Sequence, residues 1–248
     1  DVEQIIRDLQ EVALTTNGIL LGRYAEKIRS AGIRRINVSM DTLKRGRYQK
    51  ITGYDGWNQV WEGIRQAQKL GFGPIKINVV VSRGLNEDEV IEFARLSNIY
   101  PYHIRFIEYM PSGLPEREGF HLTHVSNKWI KARLSTLGKL VPVPQIASDG
   151  PSKRYRFEGA PGEIGFISAQ SDHFCQACNR LRLTADGQIK PCLFSDIQVD
   201  LKSAIRSGAS NDDLVEIFRT AVDRKPIAWD HTSAHPKTLS GKMSAIGG

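Results

Sequence analysis

The feature that most constrains the fold is a regular alternation of strand-like and helix-like patterns between residues 12 and 108. Short β-branched runs bounded by turn residues alternate with stretches in which apolar residues recur every three or four positions. The predicted strands cover residues 12–14, 36–40, 75–81 and 103–108, and the predicted helices cover residues 2–9, 19–31, 57–70 and 86–96. Strands and helices in this order favour a parallel sheet with right-handed crossovers. The sequence therefore predicts an α/β fold and leaves open whether the sheet closes.

A change of pattern near residue 115 predicts a second region. There, loops rich in Pro, Gly and Ser separate short strands at 154–157 and 165–168 from helices at 127–134, 197–205 and 212–222. We therefore predict one domain over residues 1–114 and an α+β domain over residues 115–248. Because the first domain opens on a helix and its four βα units are too few for a barrel, we expect that its N-terminal part is absent.

Composition excludes some classes of partner. The chain of 248 residues has no apolar run near the roughly 20 residues that a membrane span requires. It also has no long block of like charges, which argues against a polybasic segment for nucleic acid. The formal net charge of +7 indicates either an anionic ligand or merely a basic surface.

Polar residues stand at the carboxyl ends of the predicted strands. Thr15, Ser39, Asn78 and Glu108 occupy these positions. In parallel α/β folds the carboxyl ends of the strands lie along one edge of the sheet, where ligands bind. One such residue is commonly a cap or a turn former, but their presence at four strand ends favours a ligand-binding mouth.

The three cysteines of the chain lie close together in sequence, in a C-x2-C-x13-C pattern formed by Cys175, Cys178 and Cys192. An odd, clustered set argues against a disulfide framework and for a metal centre. Asp186-Gly187 is typical of a two-residue hairpin turn, which would return the third thiol to the first two. Three thiolates suit zinc with one further ligand, or a 4Fe–4S cluster with one open iron, and the spacing does not decide between them.

Two arginines follow the second cysteine at alternate positions. On a strand, Arg180 and Arg182 would project from the same face. The guanidinium fork suits phosphate oxygens, so this pair indicates a phosphate ligand, although a solvated strand face has the same pattern.

Several segments occur together in an order that carries a family resemblance. They are residues 14–18 (LTTNG), 36–41 (INVSMD), 76–79 (KINV), 105–111 (RFIEYMP), 174–187 (FCQACNRLRLTADG), 191–193 (PCL) and the terminal IGG. Together they resemble the GTP 3′,8-cyclase family, radical-SAM enzymes of molybdenum cofactor biosynthesis. The resemblance spans essentially the whole chain. It implies that the domain over residues 1–114 is an incomplete TIM-type βα barrel of the radical-SAM class, without its N-terminal strands.

The resemblance implies a reaction and its cofactors. In this family a 5′-deoxyadenosyl radical from S-adenosylmethionine abstracts the 3′ hydrogen of GTP, and the C3′ radical attacks C8 of guanine. A 4Fe–4S cluster at Cys175, Cys178 and Cys192 would bind the guanine edge, and a second cluster would reduce S-adenosylmethionine. The implied residues for S-adenosylmethionine are Thr15, Ser39 and Met110. The implied residues for GTP are Lys76, Arg105, Arg180, Arg182, Gly247 and Gly248.

The same resemblance implies a biological setting. It implies GTP as the small-molecule partner, cyclic pyranopterin monophosphate synthase as the downstream enzyme, a homodimer and a cytoplasmic location.

One departure from the family pattern affects activity. The family's C-x3-C-x2-C motif and its Gly-Gly-Glu-Pro segment do not occur in this sequence. We therefore interpret the chain as N-terminally truncated and expect it to be inactive as the cyclase. Two alternatives remain at this point: another radical-SAM enzyme with an auxiliary cluster, and a non-catalytic module that binds metal and nucleotide.

Overall fold

The computed structural model describes residues 9, 11–110, 123–145 and 150–227. The chain divides into two compact units. The first, which we call the sheet unit, comprises Asp1–Tyr109 and His121–Asp172, and the second, the cysteine unit, comprises Met110–Phe120 and His173–Gly248. The domain boundary between residues 114 and 115 stays a prediction.

A seven-stranded sheet forms the centre of the sheet unit, in the order β1-β2-β3-β4-β7-β6-β5. Its strands are β1 (Ala13–Thr16), β2 (Arg35–Ser39), β3 (Ile75–Val81), β4 (Tyr102–Glu108), β5 (Leu140–Pro142), β6 (Lys153–Phe157) and β7 (Glu163–Ile167). The pairs from β1 through β4 to β7 are parallel, whereas β6 pairs antiparallel with both β7 and β5. The predicted α/β class with a mainly parallel sheet is confirmed, and a TIM-type barrel stays a prediction.

Seven α-helices accompany the strands in the described part of the chain. They are α1 (Leu21–Ser30), α2 (Arg45–Thr52), α3 (Trp57–Lys69), α4 (Val90–Ile99), α5 (Asn127–Leu134), α6 (Lys202–Arg206) and α7 (Asn211–Asp223). None of the described helices has the length and apolar character needed to cross a membrane.

Most predicted elements are confirmed, but one helix was missed and one predicted helix is wrong. Helix α2 was not predicted, because Tyr48 is its only buried residue and so leaves no apolar stripe in the sequence. The single helix predicted over residues 197–205 is wrong, because this segment forms strand β10 (Val199–Asp200) before the short α6 begins. The helix predicted over residues 2–9 lies outside the described residues apart from Leu9.

One face of the seven-stranded sheet is apolar and packs against helices. Alternate residues such as Val38, Ile77 and Phe106 are fully buried in the main core. Burying side chains of this size contributes roughly 1.5–3 kcal/mol each relative to exposure. Helices α1 and α3 approach closely because Gly63 has no side chain. A Cβ at this position would lie 2.9 Å from Leu21 Cβ. Since strand residues alternate between faces, the residues between the apolar ones project from the opposite, polar face.

The cysteine unit contains a three-stranded antiparallel sheet in the order β10-β9-β8. Strand β8 is Arg182–Leu183 and strand β9 is Gln188–Lys190. The buried side chain of Ile189 projects from the middle strand into a small core with residues of α7 and the segment before α6. These neighbours are Leu201, Leu214, Ile217 and Ala221. Helix α7 begins with a capping box between Ser210 and Asp213.

Candidate functional sites

A hydrogen-bonded network crosses the four parallel strands on the polar face of the sheet. Arg105 donates from Nε to Asn78 Oδ1 at 2.7 Å and from Nη2 to Asn37 Oδ1 at 3.0 Å. Asn37 in turn donates from Nδ2 to Thr15 Oγ1 at 3.0 Å. Each of these residues comes from a different strand, so the parallel register brings them together. The network fixes the guanidinium while leaving other N–H donors of Arg105 for a ligand.

Gly165, which has no side chain, leaves space for Arg105. Gly165 lies directly opposite Arg105 in the parallel pairing of β4 with β7. A Cβ built on Gly165 would lie 3.0 Å from Arg105 Cγ and 2.3 Å from Ser152 Oγ. Glycine is therefore the residue that this close approach requires.

Cations and one carboxylate cluster beside this network. Lys76, His103, Arg105, Arg154 and Glu163 line one small cavity on the polar face. Glu163 is buried and accepts from Arg154 Nε at 2.7 Å and Arg154 Nη2 at 3.0 Å. Together these residues form a face that carries more positive than negative charge, as an anionic ligand requires.

Burial lowers the pKa of two groups in this cluster. Burial lowers the pKa of His103 to about 4, and the cations Lys76 and Arg154 add to this effect against the opposing charge of Glu163. His103 is therefore neutral at pH 7, although Glu163 Oε2 lies 3.5 Å from its Nδ1. Burial, followed by repulsion from Arg35, lowers the pKa of Arg105 to about 10, which leaves this guanidinium charged at pH 7.

The residues implied for S-adenosylmethionine fall in different places. Thr15 belongs to the polar network, and Ser39 is exposed at the end of β2 opposite Asn78. Met110 follows β4 and is assigned to the cysteine unit. Glu108, at the end of β4, is fully buried and accepts from the backbone N–H groups of three residues. These donors are Asn127, Gln170 and Ser171. Glu108 therefore organises the backbone rather than the predicted mouth.

The cysteines of the second unit lie on two neighbouring segments. Cys175 begins a 3₁₀ turn, Cys175–Ala177, which Cys178 follows directly, and Cys192 stands two residues after β9. The predicted hairpin between them is confirmed, but its connection has three residues instead of two. Thr184 pairs with Gln188, and Gly187 adopts φ +86° at the last loop position, as in a turn followed by a bulge.

Basic side chains interact with two of these thiols. Burial acts to raise the pKa of Cys178, but hydrogen bonds from Arg180 and the charge of Lys225 outweigh it and hold the pKa below the usual value. Lys225 Nζ also donates to the Arg180 carbonyl at 2.8 Å, and the Arg180 guanidinium lies 4.9 Å from the Phe174 ring centroid. Burial and the charge of Arg180 lower the pKa of Arg182, while Cys192 and Cys178 act in the opposite direction.

The donor chemistry fits a three-cysteine site, although the conformation does not show it closed. Within the described residues, no three His, Cys, Asp or Glu side chains are close enough to hold one metal ion. All three thiols are nevertheless partly buried and unbridged, and two of them act electrostatically on the same Arg182 side chain. No cysteine remains in this sequence for a second cluster, so the residues present do not fit one.

The structure brings the implied GTP residues together as two pairs. Lys76 and Arg105 line the polar face of the sheet unit, and Arg180 and Arg182 lie in the cysteine unit. Gly247 and Gly248 lie outside the described residues.

Sequence analysis did not assign several residues that belong to these two sites. They are Asn37, His103, Arg154, Glu163 and Lys225. Asn37 and His103 stand two positions before Ser39 and Arg105, so strand periodicity could have placed them on the same face. Arg154, Glu163 and Lys225 are distant in sequence from their partners, and no local pattern indicates those contacts.

Comparison with known proteins gives consistent matches along the chain. The family model described as Molybdenum Cofactor Synthesis C matches residues 102–231, and that of the Radical SAM superfamily matches residues 1–97. A GTP 3′,8-cyclase of Moorella thermoacetica is 45% identical over 243 residues, which cover 98% of this chain and 74% of that protein. GTP 3′,8-cyclases of Heliobacterium modesticaldum and Thermodesulfovibrio yellowstonii are 45% and 43% identical, over 97% and 98% of this chain and 73% and 74% of their own lengths.

Proposed function

Because the chain belongs to the GTP 3′,8-cyclase family, we propose that it serves the first step of molybdenum cofactor biosynthesis. In this step GTP is cyclised to (8S)-3′,8-cyclo-7,8-dihydroguanosine 5′-triphosphate. Radical-SAM chemistry with 4Fe–4S clusters and S-adenosylmethionine belongs to this family. The role of this chain is to bind and orient GTP.

The observation that carries the proposal is the Arg105 network on the polar face. The guanidinium is held on two sides by Asn37 and Asn78, so it loses little further freedom when it binds a phosphate. Lys76 lies beside it in the same cavity lining. Two cations held in place by the sheet supply part of the charge that a triphosphate requires.

Arg180 and Arg182 supply the same chemistry in the cysteine unit. They stand at alternate positions next to Cys178, with Arg182 partly buried. In our proposal these two guanidinium groups bind phosphate oxygens, and Cys175, Cys178 and Cys192 hold a 4Fe–4S cluster. When bound, this cluster supplies an iron with an open coordination position for the guanine base.

The polar strand ends form the proposed S-adenosylmethionine site. Thr15 and Ser39 offer hydroxyl groups there, and Met110 offers an apolar side chain. Gly247 and Gly248 complete the GTP site in this proposal, because glycines allow a chain terminus to approach a ligand closely.

Calorimetric titration of GTP into the anaerobically reconstituted chain tests the proposed binding role. We expect Arg105→Met to weaken binding by about 10- to 100-fold, because a hydrogen bond to a charged group contributes roughly 1.5–3 kcal/mol. Arg95→Met, on the exposed side of α4, is the matched control and should leave binding unchanged. Equal GTP affinity in both variants would contradict the role of the polar face.

We also propose that this chain alone does not cleave S-adenosylmethionine, since its three cysteines are all assigned to one cluster. Incubation with S-adenosylmethionine, dithionite and GTP should give no 5′-deoxyadenosine. Formation of that product above a protein-free blank would contradict this part of the proposal.

Two partners complete the proposal. The chain forms a homodimer, which light scattering on the purified protein would detect as twice the chain mass. Cyclic pyranopterin monophosphate synthase takes up the cyclised nucleotide. Adding that enzyme to a complete cyclase reaction should consume the cyclised product.

A further inference from the structure

A buried lysine in the cysteine unit lacks a partner. Lys190, at the end of the middle strand β9, is 1% exposed. Its Nζ has no hydrogen-bond partner among the residues that the structure describes. Burying an ammonium group without a partner costs several kcal/mol, so such a group indicates a missing anionic ligand.

The register of the hairpin places Lys190 beside another cation. Lys190 lies directly opposite Arg182 in the antiparallel pair of β8 and β9, so both side chains project from the same face. Ile189, the preceding residue, projects from the other face into the core that contains α7. Like charges directly opposite each other destabilise a sheet, which again requires an anion on this face.

Carboxylates nearby in the same sheet are already used by other groups. Asp200, on β10, accepts from Ser203 Oγ at 2.6 Å. Asp186, in the hairpin loop, accepts a hydrogen bond from Thr184 Oγ1. Neither carboxylate is bonded to Lys190, so the sheet itself does not supply the counter-charge.

The cysteines of the same unit are a further source of negative charge. Lys190 precedes Cys192 by two residues, and Arg182, the cross-strand partner of Lys190, follows Cys178 by four. Cysteines bind metal as thiolates, so loading this site adds negative charge to the surroundings of Lys190.

We propose that Lys190 is a counter-cation of the cysteine-bound cluster and that its ammonium group donates a hydrogen bond to a thiolate or sulfide sulfur there. This inference rests on the cluster of the proposed function. A positive charge that donates to the cluster favours its reduced form, because reduction adds negative charge. Removing that charge therefore makes the reduction potential more negative.

The test uses the full chain, anaerobically reconstituted with iron and sulfide. Lys190→Met keeps a similar unbranched side chain without the charge, and Lys190→Arg keeps the charge. Lys202→Met, at an exposed position of the same unit, is the matched control. A redox titration followed by electron paramagnetic resonance should give a more negative potential for Lys190→Met alone.

Further measurements separate this role from the alternatives. In cluster-free protein, Lys190→Met should melt no lower than the unmodified chain, because it removes an uncompensated buried charge. Inorganic triphosphate should bind cluster-free Lys190→Met as tightly as it binds the unmodified chain. Weaker triphosphate binding with an unchanged reduction potential would show that Lys190 binds the phosphate groups, and it would overturn the proposal.

The same samples distinguish this inference from the proposed function. If the unmodified chain retains no iron and sulfide, both the cluster and its counter-cation are refuted. If it retains them and Lys190→Met has the potential of the unmodified chain, only the role of Lys190 is refuted.

Discussion

Substitution of Glu163 should lower the stability of the sheet unit more than substitution at most other positions. It is 2% exposed and accepts two hydrogen bonds from Arg154 and one from Arg156 Nη2 at 2.6 Å. Glu163→Gln retains the shape of the side chain but removes its charge. The variant would remove the negative charge that pairs with the largely buried Arg154 guanidinium.

The size of the effect follows from burial. Breaking a buried ion pair by removing one partner costs about 3–5 kcal/mol, whereas an exposed pair contributes roughly 0–1 kcal/mol. The Arg154 side chain is 17% exposed and that of Arg156 is 47% exposed, so Arg154 accounts for most of the loss. For a chain of this size, the loss corresponds to a fall in melting temperature of about 6–20 °C.

Urea unfolding followed by far-ultraviolet circular dichroism would measure this loss. Glu158→Gln, an exposed glutamate after β6, is the control and should change the free energy of unfolding by less than about 0.5 kcal/mol. A loss below about 1 kcal/mol for Glu163→Gln would refute the reasoning, since the pair would then behave as if it were solvated.

Three further predictions concern pH and backbone. Because His103 has a pKa of about 4 when folded against 6.5 when unfolded, stability present above pH 6.5 is lost as the pH falls towards 4. The loss is about 3 kcal/mol; urea titrations should show it diminished in His103→Gln, and equal slopes in both proteins would contradict it. Gly18→Ala should lower the free energy of unfolding by at least about 1 kcal/mol, because Gly18 has φ +81° and its Cβ would lie 2.9 Å from Val60 Cγ1. The same urea assay tests this, with Gly46→Ala as the unobstructed control. Gly165→Ala should weaken GTP binding at least about tenfold by displacing Arg105, and calorimetry with unchanged affinity would contradict it.

The local sequence pattern predicted helices and strands well where the apolar stripe of a helix or the apolar–polar alternation of a strand was strong. Strand β3 and helix α5 have the predicted bounds, because their buried residues recur at the periods of a strand and a helix. Helix α2 was missed because tertiary contacts, such as the ion pairs of Arg47 with Asp88 and Glu89, hold it.

The candidate sites were predictable only in part. The resemblance suggested Arg105 and Lys76 as GTP-binding residues, which stays a prediction, and the strand pattern accounts for their shared face. The Arg154–Glu163 pair required the antiparallel return of β6 onto β7, which no local pattern in the sequence indicates. The sequence could not indicate that Lys190 is buried without a hydrogen-bond partner, because burial and hydrogen bonding are properties of the folded chain.

The parallel register on the polar face has a consequence for how the chain tolerates changes in length. Thr15, Asn37 and Lys76 align across β1, β2 and β3, one residue from each strand. A single residue inserted within one of these strands would turn its polar side chain to the face that packs against helices and an apolar side chain to the polar face. An insertion in the exposed connection at residues 53–55 would leave that alignment intact, since no strand is displaced. Related chains that keep the site should therefore differ in length between the strands and never within them.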